Sequence, residues 1–330
     1  MIKSSPSPRL SIAVHGIGAH AQRTVLPAIK QCDAVELVGI STRNAEVRET
    51  QSAAWACPGW STLDEMLASA DMDVVFIASP IRCHFEDGQK VIEAGRHLWC
   101  EKSFTHDTAQ AATLVEVAAS KDLAVCVSMA PVYHHQFQML KALIADNAIG
   151  KVRSLASQFA FPHTDSDNSK YDPDVGGGAL LDMGYYPILM AAELLGEVPQ
   201  LSGAVLETEN GYAVDTGGGA LLNFSGSVTA TSQWGYGRDY INEMTVVGET
   251  GTIITKPVFS KPTHLTPQLT LRRQNVDTDR DIPPCNQFAE MLSAFALATT
   301  DPDERRRYRE RSLNHQNLLA QVAAISDATS

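Results

Sequence analysis

The sequence predicts an α/β protein in which a doubly wound parallel sheet is followed by an α+β domain built on a large open, mostly antiparallel sheet. Three observations lead there. Up to about residue 127, short near-continuous Val/Ile/Leu runs alternate with longer amphipathic segments, as strands buried on both faces do when helices cover them. A glycine-rich turn follows the first of those runs directly. After Pro131 the runs lengthen and alternate apolar with polar residues between Gly and Asn turns, the period of strands with one solvated or partner-covered face.

Taken in order, Leu10-Ser11-Ile12-Ala13-Val14 reads as a strand and 19–30 as the helix after the glycine turn. A second strand covers 35–40, 64–67 is helical, and 74–78 is a third, buried strand closed by Ser79-Pro80. A helix over 85–94 ends at Gly95; 97–100 is a fourth strand, 108–120 a helix and 124–127 a fifth strand. The texture changes at 128–133, so the expected domains are 1–128 and 129–330. In the second, 136–145 is helical, and alternating segments run over 152–161, 201–207, 220–234, 243–247 and 269–272. Helices over 287–298 and 311–326 close the chain. The hexad at 176–181 recurs at 217–222, first leading into a helical pattern and then into an alternating one, which argues coincidence rather than a repeat.

Composition narrows the function classes. The chain has 330 residues, 44% hydrophobic and 19% charged, enough for two globular domains. No apolar run approaches the roughly 18 to 20 residues of a membrane span. Residues 1–9 lack the apolar core of a secretory signal. Six cysteines without a C-x-x-C pair suit a reducing, cytoplasmic setting. A formal charge of -12 argues against nucleic acid, and the basic run Arg305 to Arg311, preceded by Asp301, Asp303 and Glu304, reads as an ion-paired helix face. There is no G-x-S-x-G and no H-E-x-x-H. His134-His135 point different ways, so no metal site is expected.

Gly16-Ile17-Gly18-Ala19-His20-Ala21 gives G-x-G-x-x-A between the first strand and the first helix. The glycines permit a tight turn and close approach to a pyrophosphate, Ala21 permits helix–strand packing, and the helix N-terminus attracts negative charge, so a dinucleotide is expected there. After the second strand, Ser41-Thr42-Arg43 stands where an acid would hold the ribose 2'-hydroxyl of NAD. Two hydroxyls and a guanidinium suit a 2'-phosphate, which favours NADP(H), with NAD(H) the alternative. Arg43 beginning an exposed helix is the plain reading. Ser79, Pro80 and His84, and Glu101-Lys102, fall at carboxyl ends of strands, where ligands of open α/β sheets bind. Downstream, Gly176-Gly177-Gly178-Ala179-Leu180-Leu181-Asp182-Met183-Gly184-Tyr185-Tyr186 sets Asp182 and Tyr186 at i and i+4 on one helical face.

Over essentially its whole length the chain resembles the glucose-fructose oxidoreductase, inositol dehydrogenase and MocA family. The resemblance rests on the 16–21 turn, on Glu101-Lys102 and on 176–186. With Asp172-Pro173-Asp174-Val175 before it and Pro187-Ile188 after it, the last segment is most similar to nucleotide-sugar 3-ketoreductases and related sugar and dihydrodiol dehydrogenases, which carry tyrosine where inositol dehydrogenases carry histidine. Ser103 replaces the family's common proline, often a cis peptide, and Ser128-Met129-Ala130-Pro131 lacks an asparagine or arginine often found there.

The resemblance implies a Rossmann domain followed by a substrate-binding and oligomerisation domain, and hydride transfer between the nicotinamide and a carbonyl or hydroxyl carbon of a sugar, sugar derivative or polyol, nucleotide-linked or not. Tyr186 would be the general acid/base, Lys102 would assist, and Asp182 would hold Lys102 or a substrate hydroxyl. His163, Tyr171, Trp234, Arg238 and Tyr240 are expected to meet the substrate; core or subunit packing is the alternative for Trp234. The large sheet implies a homodimer or homotetramer. An NAD-retaining glycosidase-like hydrolase and a silent cofactor-binding sensor are the competing classes.

Overall fold

The computed structural model describes residues 9–164 and 169–327, which divide into two compact units. The first runs to Ser128 and takes back Phe288–Leu313; the second comprises Met129–Gln287 and the chain from Asn314. The chain beyond 129 therefore does not all belong to the second unit.

In the first unit, β1 (Leu10–His15), β2 (Val35–Ser41), β3 (Gly59–Trp60), β4 (Val74–Ile77), β5 (His97–Cys100) and β6 (Val125–Val127) form one sheet in the order β3-β2-β1-β4-β5-β6. Every pair is parallel. Strand β4 is buried at all four residues, the signature of a strand covered on both faces. The crossovers carry α1 (Leu26–Gln31), α2 (Ala45–Trp55), α3 (Leu63–Ser69), α4 (His84–Glu93) and α5 (Thr108–Ser120). Side chains of Asn44, Thr62 and Asp107 accept backbone N–H groups and start α2, α3 and α5. The first helix differs from a uniform 19–30 helix, because Ala21–Val25 forms a π-turn before α1. The chain order reverses at β1/β4, which opens a crevice at the carboxyl ends of those strands.

Two elements of this unit have no counterpart in the sequence pattern. Helix α2 buries no residue fully, so it shows little apolar face, and β3 is too short to have a period.

The second unit contains α6 (His135–Ala145), β7 (Val152–Phe161), α7 (Tyr185–Leu195), β8 (Gln200–Glu207), β9 (Gly217–Phe224), β10 (Val228–Tyr236), β11 (Ile241–Gly248), β12 (Thr252–Lys256), β13 (Gln268–Arg273) and β14 (Val276–Arg280). Its eight strands run β14-β13-β12-β11-β7-β10-β9-β8, with β7 and β10 parallel and the other pairs antiparallel. The expected single segment over 220–234 is a hairpin: β9 and β10 turn through Ser225–Ser227, where Gly226 has φ 67°. Helix α7 lies on one face. Ser232 on β10 donates its hydroxyl to the Pro187 carbonyl at 2.9 Å and ties α7 to the sheet. Strands β12 and β14 were not legible; β14 is exposed at every residue.

Helices α8 (Gln287–Thr300) and α9 (Pro302–Asp327) end the chain, and α9 starts earlier than expected, so the basic run lies inside it. Arg306 and Arg307 pair with Asp303 and Glu304 on an exposed face. Arg305 departs from that reading: it is buried and forks onto both carboxylate oxygens of Asp122. Among the described residues no helix is long and apolar enough to cross a membrane. Nor does any group of three or more His, Cys, Asp or Glu among them suit a metal ion.

Candidate functional site

In the first unit the turn after β1 runs against the end of β4. Gly16 has φ 89°, and a Cβ there would lie 2.5 Å from the Ser79 backbone nitrogen, so only glycine fits. At Gly18 a Cβ would meet no described atom within 4 Å: its surroundings are open. The close turn and the open second glycine form a cradle suited to a pyrophosphate at a helix N-terminus.

Below this turn lies a polar chain. His15 Nδ1 is 2.7 Å from Ser41 Oγ, His15 Nε2 is 3.4 Å from Asp87, and Ser79 donates to the same Asp87 oxygen at 2.7 Å. Burial pushes the Asp87 carboxyl up, but the His15 contact and the Ser79 hydroxyl outweigh it and hold the pKa below the ordinary value. Ser41 is wholly buried by this arrangement. Its hydroxyl turns inward to His15, a departure from the outward placement expected of a cofactor contact. Thr42 is half-buried and Arg43 exposed, and both precede α2, whose cap is Asn44.

His84 also differs from expectation. It is 1% exposed, with Nδ1 2.9 Å from the Ser103 carbonyl and Nε2 2.8 Å from the Ser79 carbonyl, so it braces two strand-end turns and offers no surface to a cofactor. Glu101 is likewise committed inward. Its Oε1 accepts from Ser128 Oγ at 3.2 Å and faces His20 Nε2 at 3.3 Å, while Oε2 accepts the Lys102 N–H at 3.2 Å. Burial raises its pKa, yet His20 and Lys102 outweigh burial and keep the net shift downward. The Lys102–Ser103 peptide is cis, the form the resemblance associates with proline at this place.

In the second unit the segment from Leu180 is not plain α-helix. Leu180–Gly184 is a π-turn that runs into α7, so Asp182 stands on the wide turn and Tyr186 in the first turn of α7. Asp182 Oδ2 accepts the Tyr236 hydroxyl at 3.1 Å and pairs with Lys170 Nζ at 3.4 Å. Lys170 also lies 4.4 Å from the centroid of the Phe161 ring. Tyr186 is partly exposed and packs edge-on to Phe159 at 6.0 Å between centroids and tilted to Phe259 at 6.4 Å.

Of the expected substrate residues, His163 and Tyr171 gather beside Asp182. Tyr171 is buried, its hydroxyl 3.1 Å from His163 Nδ1 and its ring 5.2 Å from that of Tyr236. His163 stacks on Tyr212 and faces Glu209. Arg238 pairs with Glu207 at 2.5 Å. Trp234 does not fit its expected role. It is fully buried, and a Cβ on Gly184 or on Gly218 would come within 2.9 or 2.7 Å of its indole, so both glycines make room for it in the core. Tyr240, 57% exposed, lines a cavity of about 540 Å³ with Glu243, Lys256, Pro257, Leu265 and Gln268.

Sequence reasoning missed Lys170, Tyr236 and Asp215. Lys170 adjoins Tyr171, and Tyr236 shares the inward phase of β10 with Trp234, so periodicity could have found the tyrosine. No local pattern marks Asp215, whose Oδ2 accepts the Leu180 N–H at 2.7 Å.

Residues 10–129 match the oxidoreductase family with an NAD-binding Rossmann fold, and residues 137–254 match the GFO/IDH/MocA C-terminal domain. The chain is 30% identical to a dTDP-3,4-didehydro-2,6-dideoxy-α-D-glucose 3-reductase of Streptomyces antibioticus, over 97% of this chain and 98% of the relative. It is 29% identical to an NADP-dependent D-xylose 1-dehydrogenase of Hypocrea jecorina over 51% of this chain and 47% of that one. A crystal structure of a 3-ketoreductase from Actinomadura kijaniata in complex with NADP and TDP-benzene superimposes with a TM-score of 0.90 at 30% identity, covering 96% of this chain and 98% of that one.

Proposed function

The chain belongs to the GFO/IDH/MocA oxidoreductase family, and from that premise we propose that it is an NADP-dependent ketoreductase whose substrate is a nucleotide-linked keto sugar. The observation that carries this reading is the pairing of Asp182 with Lys170 and Tyr236, which fixes the acid ahead of a partly exposed Tyr186. Gly16, Gly18 and the N-terminus of the first helix would hold the pyrophosphate, and Thr42 and Arg43 the 2'-phosphate; the close turn at Gly16 and the exposed Arg43 support that fit. NADPH, when bound, supplies the hydride that reduces the carbonyl carbon.

Tyr186 gives its phenolic proton to the carbonyl oxygen as that carbon is reduced, so no free alkoxide forms. The Lys102 ammonium offsets the negative charge developing on the oxygen. Asp182, held by Lys170 and Tyr236, orients a substrate hydroxyl. His163, Tyr171 and Arg238 supply further sugar contacts, His163 and Tyr171 standing beside the Asp182 group. Two copies join through the open sheet face, on which Val205, Leu221 and Val247 are exposed.

The test is NADPH consumption with dTDP-3,4-didehydro-2,6-dideoxy-α-D-glucose, the substrate named for the relatives, beside NADP⁺ reduction with D-xylose. Turnover of the nucleotide sugar is expected, and Tyr186→Phe should lower it by about 10²-fold or more with NADPH affinity kept. Undiminished turnover in that variant would remove Tyr186 as the acid. Turnover of D-xylose alone would reassign the substrate class.

A further inference from the structure

The helix bearing Asp182 and Tyr186 has no capping side chain of its own, since Ala179 stands at the N-cap of Leu180–Gly184. The first N–H groups of a helix need acceptors from elsewhere. Asp215, on the segment just before β9, supplies them from 35 residues away. Its Oδ2 accepts the Leu180 N–H at 2.7 Å, and its backbone carbonyl accepts the Ala179 N–H at 2.9 Å. Gly178 allows this approach: at φ 125° a Cβ there would collide with Asp215 Oδ1.

A carboxylate at a helix N-terminus is favoured by the helix dipole, but this one is largely desolvated. Burial pushes its pKa up to about 6 against the opposing pull of the Leu180 N–H. The turn it anchors is a π-turn, a rare form that occurs mostly as single turns joined to α-helices, as here. At the other end of that turn Asp182 bonds Tyr236 on β10, and β10 pairs with β9 directly after Asp215. The turn is therefore tied to one hairpin at two points.

We propose that Asp215 is a positioning residue for proton transfer, acting as the acceptor that anchors the Leu180–Gly184 turn and thereby sets where Asp182 and Tyr186 stand. The proposal rests on the reading of Tyr186 as the general acid. Small misplacement of a reacting group costs up to about 10²-fold in rate, so the anchor acts on turnover more than on affinity.

Asp215→Ala and Asp215→Ser withdraw the acceptor from reach of Leu180, whereas Asp215→Asn keeps an oxygen there. With NADPH and the dTDP-keto sugar above, the first two should lower kcat by about tenfold or more while KM and NADPH affinity stay within about twofold, and the Asn variant should recover kcat to within about threefold. Amide hydrogen exchange at Leu180 should be slow in the wild type, speed up in the Ala and Ser variants and stay slow in the Asn variant; this arm needs no substrate. Wild-type kcat in the Ala or Ser variant, a loss confined to KM, or an Asn variant as impaired as Ala overturns the anchor. So does fast exchange at Leu180 in the wild-type protein, a result independent of whether any variant folds. Tyr186→Phe measured alongside separates the two ideas: an inactive Phe variant beside an unimpaired Ala variant removes only the anchor, and an active Phe variant removes the assigned acid.

Discussion

Tyr236 donates its hydroxyl proton to Asp182 Oδ2 across 3.1 Å and 54 positions of sequence, so a strand side chain holds the acid that stands one turn before Tyr186. The same oxygen faces Lys170, and two positive or donating groups therefore converge on one carboxylate. Burial, and then the charge of Asp182, raise the Tyr236 pKa, which keeps the phenol protonated as a donor throughout the working range. Tyr236→Phe should lower kcat about tenfold and stability by about 1.5–3 kcal/mol, the range for a hydrogen bond to a charged group, with NADPH affinity unchanged. Steady-state kinetics beside urea unfolding check it; an unaltered kcat would mean Asp182 keeps its place without the phenol.

The two glycines of the first turn should respond differently to a methyl group. Gly16→Ala strains a backbone at φ 89° and drives Cβ into Ser79, so the protein should lose about 1–3 kcal/mol of stability before cofactor is considered. Gly18→Ala adds its methyl to open surroundings, so stability should hold while NADPH binding weakens. Thermal unfolding and cofactor titration of both variants decide this, and a Gly18→Ala protein that binds NADPH at full strength would place the pyrophosphate elsewhere.

Arg43 is exposed at the end of β2 and precedes the Asn44 cap. If its guanidinium meets the 2'-phosphate, Arg43→Ala should weaken NADPH by about 10- to 100-fold, the worth of a charge-assisted hydrogen bond, and leave NADH binding as it was. Equal losses for both cofactors would point to a fold defect and not to phosphate recognition.

Lys261 is 8% exposed, donates to Gln136 Oε1 at 3.2 Å and to the Val258 carbonyl at 2.5 Å, and has its pKa lowered to about 7 by burial. In the unfolded chain the ammonium keeps its proton to higher pH, so between about pH 7 and 10 the unfolded state binds more protons and stability rises with pH. Relative to Lys261→Met, the wild-type protein should gain up to about 1.4 kcal/mol per pH unit across that window and show no difference in slope below it. Denaturant titrations at pH 6, 8 and 9.5, about two points inside the window and one below, test the slope. Parallel lines for the two proteins would mean the lysine stays charged in the fold.

Much of the first unit was legible because its signals are local. The strands at Leu10–His15 and His97–Cys100 are short apolar runs between turn residues, and Thr108–Ser120 has a capping Asp107. Helix α2 escaped because its side chains are largely solvated, and β12 and β14 because partners in the sheet define them more than their own alternation does. The identical hexads at 176 and 217 show the limit plainly: one enters a π-turn and the other a strand, decided by Asp215 capping the first and β10 pairing with the second.

By itself the sequence determined the alternation of strands and helices in the first unit, the glycine turn that can receive a pyrophosphate, and the closeness of Asp182 and Tyr186 along the chain. These depend on residues a few positions apart, where backbone preference and side-chain period act directly. Only the tertiary structure decided that Ser41 and His84 turn inward, that Trp234 fills the space left by Gly184 and Gly218, and that Asp182 answers to Lys170 and Tyr236. Each of those outcomes joins groups distant in sequence, and which of them meet is set by sheet order and packing, quantities no local window contains.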